Sequence, residues 1–222
     1  MTRGIIYVFW GTKFKEEMAR SVESVKRYHP DLPIFFADLT GKAKDHRDKT
    51  LMLDMSPFDV TLYLDTDTVV MDRLDFGFEK AESHGLACCI NECPWGRRYA
   101  SLTGDLVEYN TGVMFFTKKA KPVFDAWRAC AGHMDQDLRF YLGDNVVHQP
   151  TADQGAFAKA MNETNFNPYV LPLNWNMRPI WHKAYFGPIK VWHDHSDVPV
   201  SLKFWNEDQA PEHSIIKFHW TR

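Results

Sequence analysis

The sequence contains the run Val60-Thr61-Leu62-Tyr63-Leu64, which is followed directly by Asp65-Thr66-Asp67. Five consecutive apolar, aromatic or β-branched residues are typical of a strand that is buried on both faces of a parallel sheet. If the extended conformation continues, the carboxylates of Asp65 and Asp67 face the same volume, where they repel each other unless a cation neutralises them. Oxygen ligands favour Mg²⁺ or Mn²⁺ over zinc, and such an ion can also hold phosphate oxygens. The segment therefore predicts a metal site at the end of a strand.

The residues before this run predict two more strands, at 4–9 and 34–37, and a short helix at 51–55. Between the two strands we expect an amphipathic helix with Thr12 as its N-cap. Its apolar face comprises Phe14, Met18, Val22 and Val25. This β-α-β-α-β order predicts an α/β fold with a mainly parallel central sheet flanked by helices. In such sheets, ligands bind beyond the carboxyl ends of the strands.

The second half of the chain is less regular. Strands are predicted at 85–90, 112–117, 189–192 and 215–218, and helices at 122–134 and 153–161. Because no repeat or linker interrupts the pattern, we predict one domain over residues 1–222, with an elaborated C-terminal half.

The composition excludes several classes of protein. A formal net charge of −3 without a basic run argues against binding of nucleic acid, and 45% hydrophobic residues exclude global disorder. No apolar stretch approaches the ~20 residues of a membrane-spanning helix, so we expect no integral membrane segment. The N-terminus resembles a strand and not a signal peptide, and the cysteine spacing fits neither a zinc site nor a disulfide scaffold. A cytoplasmic location is expected.

Residues 62–70 resemble the D-x-D segment of nucleotide-sugar glycosyltransferases with the A-type (GT-A) fold, most closely glycosyltransferase family 8 and its relatives. Other segments resemble this family in the same order along the chain, from residue 4 to about residue 195. They are the opening strand and loop at 4–14, the second strand ending at Asp38, the basic residue Lys49, Asn110-Thr111-Gly112, and Asp153-Gln154. The resemblance implies a GT-A-type nucleotide-diphospho-sugar transferase fold and transfer of a sugar from a nucleotide-sugar donor, with UDP as the expected nucleotide. It also implies that residues 1–117 form the nucleotide-binding half of the domain and residues 118–222 the acceptor half.

The resemblance also implies roles for individual residues. Asp65 and Asp67 would bind Mn²⁺ or Mg²⁺ that bridges the two phosphates of the donor, and Lys49 would compensate charge beside them. The other residues expected to contact the donor nucleotide are Val8, Phe9, Trp10, Phe14, Asp38, Thr66 and Gly112. Alternatives remain open here: Lys49 as a surface lysine, Asp38 as a turn residue, and Trp10 and Phe14 as core residues.

The residues expected to take part in the reaction are Asn110, Asp153 and Gln154. Asn110 would hold sugar hydroxyls, Asp153 a donor hydroxyl, and Gln154 would lie near the anomeric carbon, which implies a retaining reaction. Asn110 could instead belong to a turn, and Asp153 could be a helix N-cap. Residues 171–176 resemble a Trp-Asn segment of the same family. There Trp175 is either an acceptor platform or a buried turn anchor, and Asn174 or Asn176 would contact sugar.

A late histidine completes the metal site in this family, and we predict His193 for that role. His195 and His219 are rivals, since the Lys-Pro-Trp that follows the family's histidine is missing after both His193 and His219. His193, His195 and Asp197 also match the H-x-H-x-D pattern of metal-dependent hydrolases, although the further His and Gly-Gly of that pattern are missing. Three functions are therefore carried forward: a metal-dependent glycosyltransferase, a metal-dependent hydrolase, and a non-catalytic nucleotide-sugar-binding module. The sugar and the acceptor, whether carbohydrate, lipid-linked or protein, stay open.

Overall fold

The computed structural model describes residues 1–42, 46–99, 101–132, 138–149, 153–182, 184–203, 206 and 218–220. The strands are β1 Arg3–Phe9, β2 Ile34–Asp38, β3 Val60–Leu64, β4 Thr68–Val70, β5 Leu86–Ile90, β6 Tyr109–Thr117, β7 Leu138–Leu142, β8 Asn145–Gln149, β9 Tyr169–Leu171, β10 Ala184–Phe186, β11 Val191–His193 and β12 Phe218–Trp220. The α-helices are α1 Lys15–Tyr28, α2 Met52–Met55, α3 Asp75–His84, α4 Lys121–Ala131, α5 Asp153–Thr164 and α6 Val200–Lys203.

The central sheet has six strands in the order β2-β1-β3-β6-β5-β9. β1 pairs in parallel with β2 and β3, and β5 pairs in parallel with β9. β6 is antiparallel to both of its neighbours, β3 and β5. The predicted mainly parallel sheet is therefore confirmed, with β6 as the one reversed strand of this sheet. Because β6 is reversed, its amino end lies at the same edge as the carboxyl ends of the other five strands.

Helices cover both faces of this sheet, which explains why its strands are continuous apolar runs. On one face, Tyr63 and Phe116 pack with residues of α4 and α5, including Trp127. On the other face, Leu62 and Phe115 pack with residues of α1 and α3. Gly77 lets α3 approach this second face closely, because a Cβ there would lie 2.4 Å from the Phe115 ring.

Most predicted elements are confirmed, with shifted boundaries. Thr12 as the N-cap of α1 is wrong: the helix begins at Lys15, no side chain caps it, and Thr12 offers only its backbone carbonyl to Lys15. The strand predicted at 112–117 begins three residues earlier, so the Asn110-Thr111-Gly112 segment is extended and is not a turn. Of the strand predicted at 215–218, residues 215–217 lie outside the described residues, as do residues 133–134 of the predicted helix 122–134.

Several short strands were not predicted. β4, β9 and β10 have three residues each, which is too short for a period-2 pattern to stand out. β7 and β8 form an antiparallel hairpin between α4 and α5. In the part of the chain that the structure describes, no helix is both long enough and apolar enough to cross a membrane.

Gly85 ends α3 with a positive φ of 84°, a conformation that residues with a Cβ rarely adopt. A Cβ there would also lie 2.9 Å from the Cβ of Lys119. We expect Gly85→Ala to lower the free energy of unfolding by about 1–2 kcal/mol in urea titrations. Gly132→Ala is the matched control, because Gly132 ends α4 with a φ of −71° and a Cβ there would make only ordinary van der Waals contact, 3.5 Å from the Ala129 carbonyl oxygen. Equal stability of the two variants would contradict this reason for Gly85.

Glu108 is a buried carboxyl, 5% exposed, just before β6, and its Oε1 accepts the backbone N–H of Gly96 at 2.8 Å. Burial raises its pKa to about 7, despite backbone hydrogen bonds from Gly96 and Trp95 that oppose the shift. A raised folded-state pKa means that the folded protein binds more protons than the unfolded chain between about pH 4.5 and 7. The contribution of Glu108 to the free energy of unfolding should therefore fall as pH rises through this window.

We expect Glu108→Gln, which cannot ionise, to lose this pH dependence. Thermal melts should show the variant more stable than the wild type at pH 8 and similar to it at pH 5. Glu79→Gln, on the surface of α3, is the control and should follow the wild type at both values. A Glu108→Gln profile parallel to the wild type would show that burial does not hold this carboxyl neutral.

Candidate active site

The carboxyl end of β3 meets the amino end of β6 at one edge of the sheet. Leu64 lies opposite Val113 in the antiparallel register, and the N–H of Asp65 donates to the carbonyl of Gly112 at 2.8 Å. The D-x-D segment and the Asn110-Thr111-Gly112 segment are therefore adjacent because of strand pairing, although some 45 residues separate them in sequence.

His193 reaches the same edge through a second pairing. It lies opposite Thr68 in the antiparallel pair of β11 and β4, one residue beyond Asp67. Its Nε2 lies 3.4 Å from Asp67 Oδ1 and 3.7 Å from Asp65 Oδ2. One ligand atom from each of these three residues lies within 4.8 Å of the other two. The three residues predicted to bind the metal are therefore brought together.

The donor set fits a divalent cation that prefers oxygen, such as Mn²⁺, because it combines two carboxylates with one imidazole. Burial raises the pKa of Asp67, but at the low pH where this carboxyl titrates His193 is protonated, and its hydrogen bond and charge outweigh burial and hold that pKa well below its usual range. Asp67 is thus an anion at neutral pH, as a metal ligand must be.

Gly112 makes this close packing possible. A Cβ on residue 112 would lie 2.3 Å from Cε1 of His193 and 2.7 Å from Oδ2 of Asp65. No side chain fits in this space unless the histidine or the carboxylate moves. Gly112, which was expected to contact the donor nucleotide, therefore packs closely against two site residues of the chain itself.

The other oxygen of Asp65 is held by two donors. Oδ1 accepts from Lys49 Nζ at 3.0 Å and from the Tyr63 hydroxyl at 2.5 Å. Burial, and then the charge of Asp65, raise the pKa of Tyr63 well above its ordinary range, so the hydroxyl keeps its proton and donates. This contact leaves Oδ2 of Asp65 to face His193.

Lys49 is 7% exposed, so the alternative of a solvated surface lysine is excluded. Its Nζ lies 3.0 Å from Asp65 Oδ1 and 3.2 Å from Asp153 Oδ2. Burial lowers the pKa of Lys49, but the charges of Asp153 and Asp65 outweigh burial and raise it to about 12. Lys49 is therefore a permanent cation between two carboxylates.

Asp153 and Gln154 begin α5 and contact the start of β6. Asp153 Oδ2 accepts the Thr111 hydroxyl at 2.8 Å. The Gln154 side chain contacts the main chain: its Oε1 accepts the N–H of Thr111 at 3.1 Å and its Nε2 donates to the carbonyl of Tyr109. Asp153 thus faces the cleft described next, while the Gln154 amide links α5 to β6.

A cleft of about 500 Å³ opens over this cluster. Nine residues expected at the site line it, namely Val8, Phe9, Trp10, Phe14, Lys49, Asp65, Thr66, Asp67 and Asp153. Sequence reasoning missed Lys13, Glu17 and Tyr63, which also line it. Tyr63 precedes Asp65 by two residues in an extended segment, and this spacing on one face was the available sign. Lys13 and Glu17 have i, i+4 spacing around the start of α1, and this spacing on one face of a helix was the corresponding sign for them.

Of the remaining expected residues, His195 lines the cleft, while Asp38, Asn174 and Trp175 lie apart from its lining. Asp38 is at the surface, where it accepts the N–H of Thr40 at 2.8 Å. Trp175 is buried against Phe115, as a turn anchor would be, and the Asn174 amide contacts the Pro188 carbonyl. His195 lines the cleft 3.8 Å from Asp67. The backbone of His219 belongs to β12, but its side chain lies outside the described residues.

No protein-family model and no curated protein matches the sequence. Solved structures do match. The galactosyltransferase LgtC in complex with donor and acceptor sugar analogs is 13% identical, with a TM-score of 0.57 and 86% of each chain covered. Mouse xyloside xylosyltransferase 1 is also 13% identical, with a TM-score of 0.57, 89% of this chain and 99% of that chain covered. The glycosyltransferase GlyE of Streptococcus pneumoniae is 16% identical, with a TM-score of 0.53, 80% of this chain and 46% of that chain covered. The chain therefore has the GT-A fold of these glycosyltransferases.

Proposed function

We propose that this protein is a metal-dependent glycosyltransferase that moves a sugar from a nucleotide-sugar donor, with UDP as the nucleotide, to an acceptor. The observation that carries the proposal is the convergence of Asp65, Asp67 and His193 beneath a cleft at the carboxyl edge of the sheet. A cluster of two carboxylates and an imidazole suits a cation that binds a diphosphate. The GT-A fold supports the same function.

In this proposal Asp65, Asp67 and His193 would hold Mn²⁺ or Mg²⁺, which would supply positive charge for the leaving diphosphate. Lys49 and Tyr63 fix the orientation of Asp65 through its Oδ1 atom. Trp10 and Phe14 supply aromatic surface in the cleft, on which a nucleobase can stack.

Asp153 is the carboxylate best placed to hold a donor hydroxyl, since it lines the cleft and is fixed by Lys49 and Thr111. Gln154 supports this position through the main chain of β6. The retaining outcome rests on the resemblance of Asp153-Gln154 to the family's pair. NMR of the anomeric configuration of the first product formed tests it.

The hydrolase alternative needs His193, His195 and Asp197 to share one metal. Asp197 instead forms an ion pair with Arg20 of α1 at 2.5 Å, and its side chain is largely exposed. His193 faces the D-x-D carboxylates, not Asp197. The arrangement thus favours an oxygen-rich metal site over the hydrolase set.

Calorimetric titration with UDP, with and without Mn²⁺, tests the proposal. We expect Mn²⁺-dependent binding of UDP, followed by turnover of at least one member of a panel of UDP-sugars. Binding without turnover of any donor, with simple saccharides as acceptors, would favour the non-catalytic module. No binding of UDP or GDP under either condition would refute the donor site.

A further inference from the structure

A chain of buried amide side chains lies behind His193, on the side away from the D-x-D carboxylates. His193 Nδ1 is 2.7 Å from Asn176 Oδ1, and Asn176 Nδ2 is 2.8 Å from Asn110 Oδ1. Asn110 Nδ2 is in turn 3.3 Å from Asn91 Oδ1, which also lies 3.2 Å from the Arg178 guanidinium. We call Asn91, Asn110 and Asn176 the asparagine relay.

The orientation of each amide in the relay is fixed by groups that can only donate hydrogen bonds. Arg178 has no acceptor atom, so Asn91 must turn its oxygen towards it. The backbone N–H of Gly112 donates to Asn110 at 2.8 Å, so Asn110 must turn its oxygen towards Gly112. Asn110 then presents its NH₂ group to the Asn91 oxygen. The contacts of Asn110 with Gly112 and with Asn91 therefore require the same orientation of its amide.

The same reasoning extends to the histidine. Because the Asn110 oxygen faces Asn176, Asn176 must present its NH₂ group there and its oxygen to His193. An oxygen acceptor at 2.7 Å requires a proton on Nδ1 of His193. In the neutral imidazole Nε2 then carries the lone pair, and this is the atom that faces Asp65 and Asp67.

We propose that Asn176 is a positioning residue that, through the asparagine relay, holds neutral His193 in the Nδ1–H tautomer and so presents Nε2 as a metal ligand. The inference rests on the proposed metal-dependent function. It adds a residue that orients the metal-binding histidine, a role that the D-x-D resemblance assigns to no residue. Arg178 anchors the far end of the relay, where it is itself held by Glu92 at 2.7 Å.

Burial keeps the amides of the asparagine relay in one orientation. Asn176 is 2% exposed and Asn110 is 5% exposed, so water competes little for their hydrogen bonds. If Asn176 rotated its amide by 180°, its oxygen would face the oxygen of Asn110. This contact between two acceptors would be repulsive, and the buried Asn176 oxygen would be left unpaired.

Without Asn176, Nδ1 has no acceptor, whereas Asp67 Oδ1 lies 3.4 Å from Nε2 and can accept a proton from it. The imidazole should then shift to the Nε2–H tautomer, which occupies the ligand atom with a proton. Metal binding would have to displace that proton, so Mn²⁺ affinity should fall.

The test uses protein labelled with ¹⁵N-histidine and long-range ¹H–¹⁵N NMR at pH 8, with His193 assigned by its loss in His193→Gln. In the wild type we expect Nδ1 protonated and Nε2 unprotonated. In Asn176→Leu, which is similar in volume but lacks the acceptor, we expect the Nε2–H tautomer and Mn²⁺ affinity lowered about 10- to 100-fold in titrations followed by electron paramagnetic resonance. Asn176→Asp loses the NH₂ group that faces Asn110 but keeps the acceptor for Nδ1, so it should keep a proton on Nδ1.

Asn174→Ala is the matched control, because Asn174 lies in the same turn but contacts the Pro188 carbonyl and not His193. It should retain the wild-type tautomer and Mn²⁺ affinity. A wild-type spectrum with Nε2–H, or a folded Asn176→Leu protein with the wild-type tautomer, would overturn the relay. If Asn176→Leu does not fold, the wild-type and Asn176→Asp spectra decide.

The readouts also separate this inference from the proposed function. If the tautomer behaves as expected but Mn²⁺ does not bind the wild type, the relay stands and the metal-dependent reaction falls. If Mn²⁺ binds and the wild type shows Nε2–H, the relay falls and the proposed function stands.

Discussion

Asp67→Ala should abolish Mn²⁺-dependent binding of UDP and lower sugar transfer by about 100- to 1,000-fold, the effect of losing one strong electrostatic stabiliser of a transition state. Asp67 Oδ1 lies 3.4 Å from His193 Nε2, and the low pKa of Asp67 makes it an anion at every pH of interest. Its removal leaves Asp65 and His193, which are too few ligands to hold a cation that also binds a diphosphate.

The measurement is calorimetry with UDP and Mn²⁺, followed by release of UDP from the best donor of the UDP-sugar panel. Asp125→Ala is the control, because Asp125 is an exposed residue of α4 that pairs only with Lys121 in the described structure. It should bind and turn over like the wild type. Circular dichroism should show that both variants are folded. Mn²⁺-dependent binding that survives in folded Asp67→Ala would remove Asp67 from the metal site.

The sheet edge could be predicted from the sequence because it depends on local patterns. An apolar run followed by Asp65-Thr66-Asp67 indicates a buried strand with carboxylates at its end, and both features are present. The resemblance placed Asn110 and Gly112 nearby. The resemblance did not explain why they lie there. β6 runs antiparallel to β3, so its first residues lie at the edge of the sheet where β3 ends. Strand direction depends on long-range pairing, which local patterns do not encode.

His193 was predicted among three candidate histidines because it follows a predicted strand, but local pattern could not exclude His195 or His219. The choice depends on the register of β11 with β4, a three-residue strand that was not predicted. That register puts His193 beside Asp67, while His195 lies at 3.8 Å from Asp67 and pairs with Glu17 of α1. Such a short pairing is set by tertiary packing, not by its own residues.

The asparagine relay could not be predicted for a related reason. Its members and its anchor, Arg178, lie on three separate segments of the chain and meet only when the sheet is formed. Asparagine is common in turns, so the local interpretation of Asn110 and Asn176 was a turn or a sugar contact, and Asn91 was not singled out. Their hydrogen-bond partners, not their residue types, define their role.

Lys49 supports the second large prediction, which concerns stability. Its ammonium group is buried within 3.0 Å of Asp65 and 3.2 Å of Asp153. Lys49→Met keeps much of the side-chain volume but leaves two carboxylates without their common cation. Breaking a buried ion pair in this way typically costs about 3–5 kcal/mol, because the remaining charge is desolvated and unpaired. We expect a loss of this size in urea denaturation of the metal-free protein.

A double variant tests whether Lys49 stabilises the fold through its charge. In the double variant Lys49→Met/Asp153→Asn, one of the two carboxylates is also neutralised. The double variant should therefore be more stable than Lys49→Met alone, and the double-mutant cycle should show a clear coupling energy. Lys121→Met is the control, because its ion pair with Asp125 is exposed and contributes little. Additive losses from the two site substitutions would show that Lys49 stabilises the fold by packing and not by its charge.

Metal and pH give two further readouts of the same site. Mn²⁺ should restore part of the stability of Lys49→Met, because a cation at Asp65 Oδ2 replaces some of the lost positive charge. The pKa of Lys49 is raised from 10.5 to about 12, so its stabilising contribution is complete below about pH 10.5 and is lost as pH rises through 12. The stability gap between wild type and Lys49→Met should therefore be constant from pH 7 to 9 and shrink only above it. A gap that closes below pH 9 would mean that Lys49 loses its proton in the folded protein, and the two carboxylates would then need another cation to stay charged side by side.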